Sequence, residues 1–202
     1  MIKNIVFDMG RVLIRFQSEY IMESMRVPKE YREQIHRALF HSEGWLLSDA
    51  GAISQHDVIA LACRELEPAL YGVCADVYMN FHRYMDADPL MYDLVRELKQ
   101  CGYGIYLCSN ANERFREYAE NIPALSLFDG MIVSAEEKCI KPGRRIYQTL
   151  FERYSLKPEE CFFIDDMQAN IDGARAVGMQ GYCYADGSAE RLREYLKQID
   201  VL

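Results

Sequence analysis

From Asp88 onward the chain alternates between two kinds of segment. Short apolar runs stand at Gly104–Cys108, Met131–Ser134, Cys161–Ile164 and Gln180–Tyr184. Segments with apolar residues at helical spacing follow them, at 113–121, 142–154, 169–177 and 189–199. A further run, Ile5–Phe7, lies near the N-terminus. Few folds accept this order. Strands joined through helices run parallel, and a parallel sheet needs helices on both faces. The pattern predicts an α/β fold, a doubly wound parallel sheet. Ile5–Phe7 is apolar at every position, as a central strand buried on both faces must be.

Between Ser18 and Met85 no strand pattern is found. Tyr20, Ile21 and Met25 recur at roughly helical spacing, and so do Tyr31, Ile35, Leu39 and Phe40. Pro28 reads as a first-turn proline, Ser54 with Asp57 as a capping box, and 68–85 as a fourth helix. Gly44 and Gly51 punctuate a loop carrying Trp45, whose expected role is to plug a small core. We therefore expect an all-helical subdomain at 17–86, inserted into a core made of 1–16 and 87–202. Val12–Phe16 leads out to it. Asp88-Pro89 reads as an N-cap and first-turn proline, opening the helix that begins the second part of the core.

Composition narrows the function. Lys and Arg number 23 against 31 Asp and Glu, a net charge of -8, which argues against a nucleic-acid partner. No apolar run is long enough to span a bilayer, and Asp8 interrupts the early one where an export signal would need continuity. A cytoplasmic protein without a membrane partner is expected. The seven cysteines are scattered, odd in number and without a CxxC pair, so they read as buried free thiols. The four histidines lack metal-ligand spacing. Oligomeric state is not legible in these patterns.

Polar residues end the expected strands. Asp8 follows the first, Ser109 and Asn110 the second, Lys141 the third, and Asp165 and Asp166 the fourth. Ligands of open parallel sheets bind outside the carboxyl ends of the strands. Each group has an ordinary explanation: Asp before a glycine turn, Ser-Asn as a turn, Lys-Pro at a helix entry, Asp-Asp as a cap. Together at one edge they assemble phosphoryl transfer. Asp8 is the nucleophile that splits the transfer into two steps. A hard cation, Mg²⁺, offsets the repulsion between carboxylates and phosphate, with Asp8 and Asp166 as ligands. Ser109, Asn110, the backbone amides after Ser109, and Lys141 hold the phosphate oxygens, and Lys141 is the counter-charge to Asp8. The implied partner is a small phosphorylated substrate.

These four stretches, FDMG, LCSN, IKP and IDD, resemble the haloacid dehalogenase (HAD) superfamily of hydrolases. KPGRRIYQTLF and FFIDDMQANIDGARAVGM most resemble its branch of α-D-glucose-1-phosphate phosphatases and epoxide hydrolase N-terminal phosphatase domains. The resemblance implies a Rossmann-like core with a helical cap, and Mg²⁺ held by Asp8, the Gly10 carbonyl and Asp166. It places Asp165 behind them near Lys141, with Asn170 as a structural polar residue. It implies a Mg²⁺-dependent phosphatase for a small phosphorylated metabolite, sugar phosphates included. Two alternatives stay open. One is a metal-free 2-haloacid dehalogenase, against which the pair Asp165-Asp166 speaks. The other is a catalytically weak phosphate-ester-binding protein, because Gly10 stands where most family phosphatases carry an acid–base Asp. That help is worth a factor of about 10² to 10⁴, so the departure predicts slow turnover limited by breakdown of phospho-Asp8. Arg11 and Arg15 are candidates for the crevice, and His41, Glu43 and Trp45 for a substrate hydroxyl. Arg144 and Arg145 read as solvated charges.

Overall fold

In the computed structural model, which describes residues 1–202, β1 (Asn4–Phe7) is the middle strand of a five-stranded parallel sheet. Ile5 and Phe7 enter the core on one face and Val6 that on the other, which is why no position of the run is polar. The chain leaves β1 through a tight turn, where the N–H groups of Val12, Leu13 and Ile14 converge on the Met9 carbonyl (3.3, 2.9 and 3.2 Å). β2 (Ile14–Arg15) then pairs antiparallel with β3 (Asp86–Ala87), so the outgoing and returning chain form a two-stranded ribbon. Two residues per strand are too few to show a period, so no sequence pattern marks the ribbon.

Five helices lie between β2 and β3: α1 (Ser18–Ser24), α2 (Lys29–Ile35), α3 (Glu43–Asp49), α4 (Gln55–Cys63) and α5 (Tyr71–Asn80). A π-helical turn, His36–Phe40, extends α2, and a 3₁₀ turn, Phe81–Tyr84, follows α5. They close on their own core of Met22, Ile35, Leu39, Val58, Val77 and Tyr78. The capping box at Ser54 forms as expected. The Trp45 segment, expected as a loop, is α3. Ser42 accepts the Trp45 N–H (3.1 Å) and donates its hydroxyl to the Leu39 carbonyl (2.8 Å), an N-cap whose signal Gly44 masks. Gly51 stops α3. Its φ is 62°, and the Gly51 and Ala52 amides bond back to the Ser48 and Leu47 carbonyls (both 2.9 Å), a Schellman ending.

The chain continues through α6 (Pro89–Gln100), β4 (Gly104–Ser109), α7 (Phe115–Tyr118), β5 (Gly130–Val133), α8 (Ser134–Glu137), α9 (Arg144–Tyr154), β6 (Cys161–Asp165), α10 (Gln168–Arg175), β7 (Gln180–Cys183) and α11 (Ala189–Gln198). Asp88 caps α6 as expected, accepting the Leu90 and Met91 amides (2.9 and 3.4 Å). The helix expected at 113–121 is one α turn that tightens to 3₁₀ before Ile122, since the residue preceding Pro123 avoids helical backbone.

The sheet order is β5-β4-β1-β6-β7, so winding reverses direction at β1 and opens a crevice at its carboxyl end. Phe7 stands opposite Leu107 and Ile164, which brings Asp8 level with Cys108 and Asp165. All seven cysteines are free, and no helix is long and apolar enough to cross a membrane.

Candidate active site

Lys141 lies buried in the crevice between two carboxylates. Its Nζ is 2.7 Å from Asp8 Oδ1 and 2.6 Å from Asp165 Oδ2. Asp165 is fully buried and also accepts the Met167 amide (2.8 Å) and Asn170 Nδ2 (2.9 and 3.1 Å), so its oxygens are fully engaged. The Lys141 backbone is fixed by Asn110, whose Oδ1 accepts its N–H (2.8 Å) while Nδ2 donates to its carbonyl (3.2 Å). The Asn110 side-chain amide is thus committed to positioning Lys141. Ser109 is buried and its hydroxyl has no partner, which leaves it free to donate to an anion.

Asp166 is half-buried at the rim, with Arg11 Nη1 at 3.3 Å. Arg11 has φ of 59°, strained backbone of the kind that clusters at functional sites. Asp8, Asp165 and Asp166 each offer an oxygen within 4.8 Å of the other two. Two of the carboxylates share the buried Lys141 ammonium, the third has only the exposed Arg11, and all the donors are oxygen. That set fits a hard divalent cation such as Mg²⁺. Asp8 and Asp166 are the two able to hold it, because Asp165 is engaged. Gly10 lines the same cavity, and a Cβ built on it would meet nothing within 4 Å.

Burial pushes the Asp8 carboxyl up to about 6, against the pull of Lys141. Burial also disfavours the Lys141 ammonium, but the charges of Asp8 and Asp165 outweigh it and hold Lys141 protonated. Asp166 is raised by burial and by Asp165, with Arg11 opposing.

The structure adds a residue that sequence reasoning missed. Asp49, the last residue of α3, is 9 % exposed and lines the cavity that holds Asp8 and Lys141. Burial, then the negative charge of Asp8, raise its carboxyl to about 7, while a hydrogen bond from the Trp45 side chain opposes them. One signal was available: an anion in the last turn of a helix faces the negative end of the helix dipole, a placement that costs stability. Arg114 was missed as well. It is buried, and its Nη1 donates to the Tyr78 carbonyl of α5 (3.2 Å), tying the helical insertion to the loop after β4.

The cavity encloses about 680 Å³. Asp8, Lys141 and Asp166 form its polar end, and Phe16, Phe40, Trp45 and Phe81 line it from the insertion side. Trp45 therefore serves both the small core and the cavity. His41 reaches the cavity, whereas Glu43 is exposed outside it. Arg11 lines the cavity; Arg15 is exposed on the ribbon, and Arg144 and Arg145 are solvated at the start of α9.

The family model of haloacid dehalogenase-like hydrolases matches residues 2–178. A sesquiterpene phosphatase of Aspergillus oryzae is 27% identical over 191 residues, covering 93% of this chain and 92% of that protein. A HAD-family enzyme of Bacteroides thetaiotaomicron, solved with magnesium and inorganic phosphate, aligns with a TM-score of 0.72 at 24% identity, covering 90% of this chain and 93% of that one. L-2-haloacid dehalogenase of Xanthobacter autotrophicus aligns with a TM-score of 0.71 at 20% identity, covering 100% and 85%. The last two are likenesses of fold.

Proposed function

Because this chain belongs to the haloacid dehalogenase-like hydrolase family, we propose that it is a Mg²⁺-dependent phosphomonoesterase working through an aspartyl-phosphate on Asp8. The observation that carries the reading is Asp166, a third carboxylate within 4.8 Å of Asp8 and Asp165 around one buried lysine. A metal-free dehalogenase needs the nucleophile and its ammonium; here three carboxylates face Lys141 and only the largely exposed Arg11, which leaves one negative charge in excess for a cation to offset.

In this reading Asp8 attacks phosphorus in line with the departing oxygen. Lys141 holds Asp8 in place and offsets phosphate charge, while the unpartnered Ser109 hydroxyl and the amides after it bind phosphate oxygens. Mg²⁺, held by Asp8, Asp166 and the Gly10 carbonyl, would supply further charge compensation. Asp165 keeps Lys141 aligned. Residues 17–86 act as a cap over the core of 1–16 and 87–202. The aromatic wall of Phe16, Phe40, Trp45 and Phe81 favours an apolar or aromatic alcohol over a sugar, whose hydroxyls would need more polar partners. The sesquiterpene phosphatase among the relatives points the same way.

The test is phosphate release from n-hexyl phosphate, p-nitrophenyl phosphate and a hexose phosphate, with Mg²⁺ or with chelator, alongside chloride release from 2-chloropropionate. The expected result is Mg²⁺-dependent phosphate release that Asp8→Asn abolishes, with hexyl phosphate ahead of the hexose ester and no chloride. Chloride release without metal would overturn the reaction; a preference for the hexose ester would overturn the substrate class.

A further inference from the structure

Hydrolysis of an unactivated ester needs a proton for the leaving oxygen, and Gly10 has no side chain to give it. Three carboxylates line the cavity: Asp8, Asp49 and Asp166. Asp8 is the nucleophile in the reading above, on which this inference rests, and Asp166 belongs to the close carboxylate trio. Asp49 is the one left over. No lysine or arginine pairs with it, whereas Asp8, Asp165 and Asp166 each have such a partner. Its place at the carboxyl end of α3 favours the neutral acid, because the helix dipole opposes an anion there.

Its position is fixed from the core. Ser134, just past β5, donates its hydroxyl to the Asp49 carbonyl (2.5 Å) and accepts the Ala111 amide from the loop after β4 (2.9 Å). Lys138 Nζ donates to the Gly51 carbonyl (2.6 Å). The end of α3 packs so closely on α8 that a Cβ at Gly51 would stand 2.3 Å from the Ala135 carbonyl oxygen. Both segments that hold Asp49 start from strand ends on one side of β1, that of β4 next to Asp8 and that of β5 one strand further out.

We infer that Asp49, carried by the helical insertion, is the general acid and base of this enzyme, in place of the side chain absent at Gly10. In the first step an Asp8 oxygen bonds to phosphorus, the bond from phosphorus to the ester oxygen breaks, and that oxygen takes the proton of Asp49 to leave as the alcohol. In the second step water attacks phospho-Asp8. Its oxygen bonds to phosphorus, its proton passes to the Asp49 carboxylate, and the Asp8 carboxylate and hydrogen phosphate are released. Asp49 ends protonated, ready for the next ester.

The test compares wild type, Asp49→Asn and the double variant Asp49→Asn with Gly10→Asp, at saturating Mg²⁺. Asn keeps the side chain's shape and the backbone tether to Ser134. On n-hexyl phosphate Asp49→Asn is expected to lower kcat by about 10²- to 10⁴-fold. On p-nitrophenyl phosphate, whose leaving group needs no proton, rapid mixing is expected to show a burst of nitrophenol close to one per enzyme, then a slow phase set by breakdown of phospho-Asp8. The slow breakdown expected from Gly10 alone would thus be a property of the variant. Gly10→Asp, which has open space around its Cβ, is expected to restore at least about tenfold of the lost hexyl phosphate turnover. Asp49→Ser gives the same pattern if Asn disturbs the fold. An active wild type with an indifferent Asp49→Asn overturns this inference alone. Equal losses on both esters, without burst or rescue, reduce Asp49 to a structural role and overturn it too. A wild type inactive on both esters overturns the phosphatase reading and this inference together.

Discussion

Asp49→Asn should make the protein more stable above neutral pH, even as it removes activity. The Asp49 carboxyl rises from an ordinary 3.8 to about 7 on folding, first through burial and then through the charge of Asp8. The folded chain therefore keeps this proton at pH values where the unfolded chain has lost it. Between about pH 4 and 7 the folded state binds more protons, so stability falls as pH rises through that window and then levels off. At about 1.4 kcal/mol per pH unit, the interval from 3.8 to about 7 amounts to about 4 kcal/mol lost by pH 8. Asn carries no such proton and escapes the loss. Urea unfolding in chelator, from pH 4 to pH 8.5, should show the two proteins nearly equal at the acid end and the variant ahead at the alkaline end, with about 4 kcal/mol as the ceiling. At a urea dependence of about 2 kcal/mol per molar, that is a midpoint shift of up to about 2 M. Parallel curves, or a variant weaker at pH 8, would refute the reasoning.

Two further outcomes separate the remaining roles. By calorimetry, Asp166→Asn should weaken Mg²⁺ binding by more than the roughly 10–100-fold that loss of a supporting partner costs. Asp165→Asn should stay within that range and mainly lower the unfolding midpoint, since it removes a buried partner of Lys141; the larger affinity loss in the Asp165 variant would reverse the two assignments. Gly51→Ala forces a Cβ into left-handed backbone, at about 1–2 kcal/mol, and against the Ala135 carbonyl, so it should lower both the melting temperature and turnover of n-hexyl phosphate. An unchanged melting temperature would mean that α3 is not clamped as described.

The parallel sheet was legible because burial on both faces leaves no polar position in Ile5–Phe7 of β1 and few in β4 and β6. The caps at Ser54 and Asp88 were legible because capping is local chemistry, complete within four residues. The β2–β3 ribbon was not, since its pairing joins segments about seventy positions apart with two residues on each side. α3 was hidden by Gly44, which lies inside its first turn, where an added Cβ would make only ordinary contacts at 3.5 Å. Gly51 was read as loop punctuation, while its position requires left-handed backbone and a close approach to α8 together.

The site divides along the same line. Asp8, Lys141, Asp165 and Asp166 were readable because strand ends of one sheet must converge, and the order of strands says where. Asn110 was placed in the right crevice, but its amide could equally face a ligand or the Lys141 backbone, and only the register of the two loops decides that. Asp49 belongs to another layer. It reaches the crevice through the docking of α3 on α8, and no periodicity within α3 encodes that contact. What the sequence did contain was a local inconsistency, a carboxylate at the end of a helix that disfavours it. Such inconsistencies are expected where a fold gives up stability for function. Asp49 also carries the cost of burial without a cationic partner. A residue that stability alone would remove, in the cavity of an enzyme that lacks its acid at Gly10, is explained when the two anomalies have one cause.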